Sequence, residues 1–172
     1  KGWHWAPAAR HFFFATKDAQ VHRPRAQRVA RAKALLRESR RPPIFKEYPK
    51  AKSIPLKRPV APLPLSSNAL SQMRDTRDFA PKPISRGQLS ALLFQAFGVR
   101  ATINAEPFGK VLVKGYHSAG NCHPLEVYVA IAAVKGLARG LYHYNVKNHA
   151  LELLKRGDFR RTMKSIANEQ AW

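Results

Sequence analysis

Apolar positions recur along the chain with two periods, and each change of period marks an element. From Ser85 the run SRGQLSALLFQAFG places Leu89, Leu92, Leu93, Ala96 and Phe97 at i, i+3, i+4, i+7 and i+8, the spacing of one helix face. Ser85 with Gln88 three residues on is a capping box, and Gly98 is a stop, so the pattern predicts a helix between them. Further on, LEVYVAIAAV (Leu125 to Val134) is a β-branched apolar run of strand length, GLYHYNV alternates, and ALELL follows the turn-prone NVKN. These predict three neighbouring antiparallel strands. Asp158, after Gly157, reads as the cap of a last helix with Phe159, Met163, Ile166 and Ala167 on one face.

Upstream the pattern changes twice. In PRAQRVARAKALLRES, Pro24 suits a first helical turn, and Val29, Ala32 and Leu36 share a face with arginines around the rest, a basic amphipathic helix. Next, Pro42, Pro43, Pro49, Pro55, Pro59, Pro62 and Pro64 crowd together and deny both helix and central strand, leaving an extended arm. Ser66 or Ser67 can then cap a helix carrying Ala69, Leu70 and Met73. The organisation expected is a basic helical segment over 1–41, a proline-rich extended arm over 42–65 and a compact α+β domain over 66–172.

Composition narrows the partners. At 172 residues and 45% hydrophobic the chain can bury one core. Thirty-one basic against 10 acidic residues, net +21, make a field that attracts anions. Eight basic residues lie between Arg23 and Arg41, yet the excess continues through Lys46, Lys50, Lys52, Lys57 and Arg58 with few aromatics interleaved, which argues against nucleic acid. The lone cysteine, Cys122, allows no internal disulfide, so a reducing cytoplasm is the expected location. The longest apolar run, Val127 to Val134, falls far short of the roughly 20 residues a spanning helix needs, and no membrane segment is expected. A start at Lys1 in place of Met reads as a processed or trimmed one.

Candidate chemistry concentrates in YHSAGNCHPLEVYV, Tyr116 to Val129. His117, Cys122 and His123 are possible zinc ligands, but Cys122 and His123 are adjacent, whereas structural zinc pairs are separated by two to five residues, so no metal is expected. The same adjacency speaks against a Cys–His nucleophile. What remains is a loop whose small residues, Ser118, Ala119 and Gly120, let backbone N–H groups approach a ligand before a core strand. The histidines and the cysteine are then incidental. Arg74 and Arg77 in MRDTRDF add guanidinium groups suited to a phosphate.

MRDTRDF, ISRGQLSALLFQAFGV, HSAGNCHPLEVYV and GLARGLYHYNVKNHALELLKRGDF, in that order and at those intervals, resemble the SagB-type dehydrogenases of the nitroreductase family over about Leu65 to Trp172. The resemblance implies a nitroreductase-like α+β flavoprotein, an antiparallel-rich sheet flanked by helices, with FMN bound at a dimer interface. It matches Arg74 and Arg77 to the motif that contacts the FMN phosphate and ribityl chain, and Ser118, Ala119, Gly120 and Asn121 to the loop along the flavin. Met73 stands where that motif has its first arginine, Asp75 where it has serine, and His117 where the loop has proline. The family continues through further helices, a Lys-Tyr pair implicated in peptide oxidation and a late basic contact to FMN. The domain is therefore expected to be incomplete in this chain, and to be completed by a homodimer or a complementary C-terminal chain. The activity implied is FMN-dependent oxidation or reduction, with azoline rings of a ribosomal peptide as the substrate and no catalytic residue assigned. The alternative, motivated by Met73 and Asp75, is a degenerate, non-catalytic scaffold or peptide-binding subunit.

Overall fold

The structure, a computed structural model, describes residues 7–16, 24–38, 43–59, 79–118 and 121–167. They fall into two units, one of residues 7–16, 24–38 and 105–109, the other of 43–59, 79–104, 110–118 and 121–167. The first holds two helices, α1 (Pro7–Thr16) and α2 (Arg25–Glu38). In α2 the half-buried positions are Val29, Ala32 and Leu36, the expected stripe, while Arg25, Arg28, Arg31, Lys33 and Arg37 are exposed. No described helix is long and apolar enough to cross a membrane.

The second unit is built on β1 (Lys52–Pro55), α3 (Arg86–Phe97), β2 (Val99–Ala105), β3 (Gly109–Lys114), β4 (Tyr128–Ile131), β5 (Gly140–Asn145), β6 (Ala150–Arg156) and α4 (Arg160–Ile166). β4, β5 and β6 pair antiparallel as their patterns predict, in a four-stranded sheet of order β1-β6-β5-β4. β1 comes from the proline-rich arm. It takes an edge, where Pro55 can end the strand without breaking a central ladder, and pairs Ile54 with Leu151 and Ser53 with Glu152. β2 and β3 form a separate two-stranded sheet over a stretch where the pattern alone had suggested no element. Its turn carries Gly109 at φ 71°, which glycine adopts freely.

The core is one cluster of Leu56, Leu89, Leu93, Ile131, Tyr142, Tyr144 and Leu151. One sheet face thus supplies alternate residues of β4, β5 and β6, and α3 supplies Leu89 and Leu93. The capping box forms: the Gln88 N–H donates to Ser85 Oγ at 3.1 Å and the Ser85 N–H to Gln88 Oε1 at 2.8 Å. Gly98 closes the helix through its N–H to the Phe94 carbonyl.

Three expectations are corrected. Leu92 is 62% exposed while Ser90 is buried, because the face that meets the sheet is narrower than the apolar spacing suggests. The run from Leu125 to Val134 is strand only over Tyr128–Ile131; Val134 instead makes a parallel bridge to Ile84. Phe159, not Asp158, is the N-cap of α4, and the Asp158 carboxylate accepts from the Arg160 N–H at 3.0 Å without occupying the cap position. The helix expected after Ser66 or Ser67 lies outside the described residues.

Candidate functional site

The loop after β3 is set by a close backbone approach. A Cβ on Gly115 would lie 2.2 Å from the Gln95 carbonyl, so only glycine lets the chain run this close to the end of α3. That brings the Tyr116 ring to 5.8 Å from Phe97 and 4.9 Å from His123, both edge to face. The turn then closes on itself. The Asn121 N–H donates to the Ser118 carbonyl at 3.0 Å, and the His123 N–H donates to Ser118 Oγ at 2.9 Å. Asn121 at φ 53° and His123 at φ 44° both sit in the left-handed region, uncommon for residues other than glycine though one that asparagine and histidine enter more often than most.

His123 is buried, and its Nε2 lies 3.0 Å from the Leu112 carbonyl. A carbonyl only accepts, so Nε2 carries the proton and Nδ1 is a bare lone pair. Burial, and next the charge of Lys114, hold the His123 pKa below its ordinary value. Burial likewise lowers that of Lys114 and raises that of Tyr116, with the Glu126 charge opposing the first shift and adding to the second.

Of the residues expected at the site, the turn brings Ser118 and Asn121 together. Arg74, Arg77, Ala119 and Gly120 lie outside the described residues, as do Met73 and Asp75. The Asn121 N–H and the Ser118 hydroxyl take part in the turn's own hydrogen bonds. One reading changes: His123 anchors the loop and is not incidental to it. His117 and Cys122 are exposed.

Two further polar clusters escaped the sequence reading. On the sheet face opposite the core, cross-strand register lines up Ser53, Glu152, His143 and Tyr128 in one row. His143, fully buried, places Nδ1 2.8 Å from Glu152 Oε2 and Nε2 3.2 Å from Glu126 Oε2. Glu152 also accepts from Asn145 Nδ2 at 2.7 Å and from the Tyr48 N–H at 3.1 Å. The Tyr48 and Tyr128 hydroxyls meet at 2.8 Å, with the Lys46 ammonium over both rings, so the arm covers this face. Alternation in GLYHYNV was the signal. Alternation sets two faces of the strand, and the arm buries the one opposite the core.

The other cluster is a directed chain. Ser90 Oγ donates to the Lys57 carbonyl at 2.6 Å and lies 2.8 Å from His149 Nε2, while His149 Nδ1 lies 2.7 Å from the Tyr144 hydroxyl. Since Ser90 uses its proton on the carbonyl, His149 donates from Nε2 and accepts at Nδ1 from Tyr144. Burial, with Arg58 nearby, lowers the His149 pKa, and burial pushes Tyr144 up to about 12, so both stay neutral. This is a Ser–His pair without a nucleophile: Ser90 is buried and its hydrogen is committed.

Known proteins give this geometry its setting. No protein-family model matches the chain. Trifolitoxin-processing protein TfxB of Rhizobium leguminosarum bv. trifolii is 34% identical over 76 residues, 44% of this chain and 20% of its own length. Putative nitroreductase MJ1384 of Methanocaldococcus jannaschii is 32% identical over 84 residues, 49% of this chain and 38% of its own. A crystal structure of a "putative nitroreductase" from Anabaena variabilis superposes with a TM-score of 0.49 at 25% identity, covering 81% of this chain and 27% of that one. The chain is thus a homologue of a trifolitoxin-processing protein and of a protein named a putative nitroreductase, and the matches span about two fifths or less of those curated relatives.

Proposed function

We propose that this chain serves in an FMN-dependent oxidoreductase that acts on a peptide, oxidising azoline rings of a ribosomal product. The observation that carries the reading is the joint similarity of nearly half the chain to a toxin-processing protein and to a nitroreductase-type protein, two descriptions that meet in redox tailoring of a peptide. The local chemistry fits a flavin on one further count. Beside the Ser118–Asn121 turn, two shielded polar atoms, Tyr116 Oη and His123 Nδ1, have no hydrogen-bond partner among the described residues.

In this reading Arg74 and Arg77 hold the phosphate through paired guanidinium bonds, and residues 118–121 lie along the ring. Bound FMN supplies the two-electron redox chemistry. The protein's part is to orient the ring and to exclude water through the Phe97, Tyr116 and His123 cluster. A second copy of the chain, or a complementary C-terminal chain, completes the site.

Adding FMN to the purified chain, alone and with any co-expressed neighbour, is the test. Binding should quench flavin fluorescence and leave a yellow protein, and Arg74→Ala or Arg77→Ala should weaken it about tenfold. A chain that takes up no flavin under either condition overturns the reading. The second reading, a non-catalytic peptide-binding subunit, rests on Met73 and Asp75. It expects flavin uptake only after Met73→Arg and Asp75→Ser, and full occupancy in the unaltered chain rules it out.

A further inference from the structure

Among the described residues, Tyr116 Oη and His123 Nδ1 are buried side-chain atoms left without a hydrogen-bond partner. They belong to one aromatic cluster, with rings 4.9 Å apart at 78°. They are also complementary. The Leu112 carbonyl fixes the tautomer of His123 and leaves Nδ1 as an acceptor, and the Tyr116 phenol, kept protonated by burial and by the Glu126 charge, offers a donor. Phenylalanine at 116 would fill the same space without the loss. The loop nevertheless holds His123 inward at a left-handed φ, braced by Ser118 Oγ and by Leu112. Unpaired groups persist inside proteins where function uses them.

We propose that Tyr116 and His123 are a ligand-reading pair that takes an N–H lying next to a C=O, the edge of an imide or ureide ring. The inference rests on the FMN reading above, because the pyrimidine ring of the isoalloxazine presents such an edge, with N3–H between two carbonyls. The dimethylbenzene edge offers neither group, and the phosphate offers His123 no hydrogen when fully ionised. The pair therefore orients the flavin by its pyrimidine end. Tyr116 and His123 here are positioning residues that select one heterocycle.

The test compares FMN with its N3-methyl derivative, which lacks that hydrogen, by flavin-fluorescence titration of the full chain and of His123→Phe and Tyr116→Phe. The unaltered chain should bind FMN about tenfold more tightly than N3-methyl-FMN, and His123→Phe should bring the two within about twofold. Tyr116→Phe should weaken both flavins alike, and without flavin it should melt at or above the unaltered chain, since it removes an unpaired hydroxyl. Equal affinity for the two flavins, or unchanged discrimination in His123→Phe, overturns this inference and leaves the FMN reading standing. A Tyr116→Phe chain that melts several degrees lower without flavin overturns it as well, because the hydroxyl is then already paired. No flavin binding at all overturns both.

Discussion

Glu152 is the residue whose partners were hardest to foresee. It sits in ALELL, an apolar strand pattern in which a lone carboxylate reads as solvent-facing, yet it is 5% exposed and accepts from three donors. Burial alone would raise its pKa, but the hydrogen bonds from Asn145, His143 and the Tyr48 N–H outweigh burial and hold it below the ordinary carboxylate value. A folded pKa below the unfolded one means stability that is present above the unfolded value, about 4.3, and is lost as pH falls through the folded value. His149 works in a separate window. Its folded pKa is also lowered, so its contribution is present above about pH 6.5 and declines on acidification below it. Chemical denaturation across pH should show stability declining from about pH 6.5 and again in the carboxylate range. Glu152→Gln should flatten the second decline and lower stability near neutrality by about 2 kcal/mol. Tyr144→Phe leaves His149 Nδ1 unpaired and should remove about 1–3 kcal/mol.

At the scale of the element, local signals and packing divide the work. The capping box of α3 was legible because Ser85, Gln88 and the intervening backbone complete it among themselves. Ser85→Ala should lower stability by about 1 kcal/mol in a urea titration. Gly140 is different. Its hydrogen faces β6, where a Cβ would meet the Lys155 carbonyl at 2.6 Å, and nothing in GLYHYNV announces that neighbour. Gly140→Ala should push β5 from β6 at the bulge beside Leu141 and Tyr142 and cost about 1–3 kcal/mol, read as a lower Tm. The β2–β3 hairpin escaped notice because β2 is largely exposed, while the apolar run of β3, Val111 to Val113, is too short to set a period although Val111 and Leu112 are buried.

For the whole molecule, the arm joins sequence-distant parts. Residues 43–59 supply β1, the Tyr48 contacts to Glu152 and Tyr128, the Glu47 carboxylate 2.8 Å from Lys147, and Leu56 of the core. A chain shortened to residues 43–172 should keep a cooperative thermal transition, since the sheet and α3 retain their core. One shortened to 57–172 should melt at least several degrees lower and expose the row of Ser53 partners, detected as faster amide exchange in β5 and β6. That loss would follow from uncovering a buried histidine between two carboxylates, a far larger effect than removing four edge residues from an ordinary sheet.

By itself the sequence determined the elements with strong local periods: α2, α3 and the succession β4, β5, β6. It also marked the loop at Ser118–Asn121 and the family resemblance, because period, capping and turn chemistry act within a few residues. Tertiary structure alone decided which side of each element is buried and by what. His143, Ser90, His149 and Glu152 are polar in the sequence and buried in the fold, since hydrogen-bond partners up to 104 residues away replace the water they lose. His123 turns inward because the Ser118 hydroxyl holds its backbone N–H and the Leu112 carbonyl holds its Nε2. The physical reason is common to all of these: a local pattern reports what a residue avoids or prefers, while burial of a polar group depends on partners that only the folded chain brings within about 3 Å.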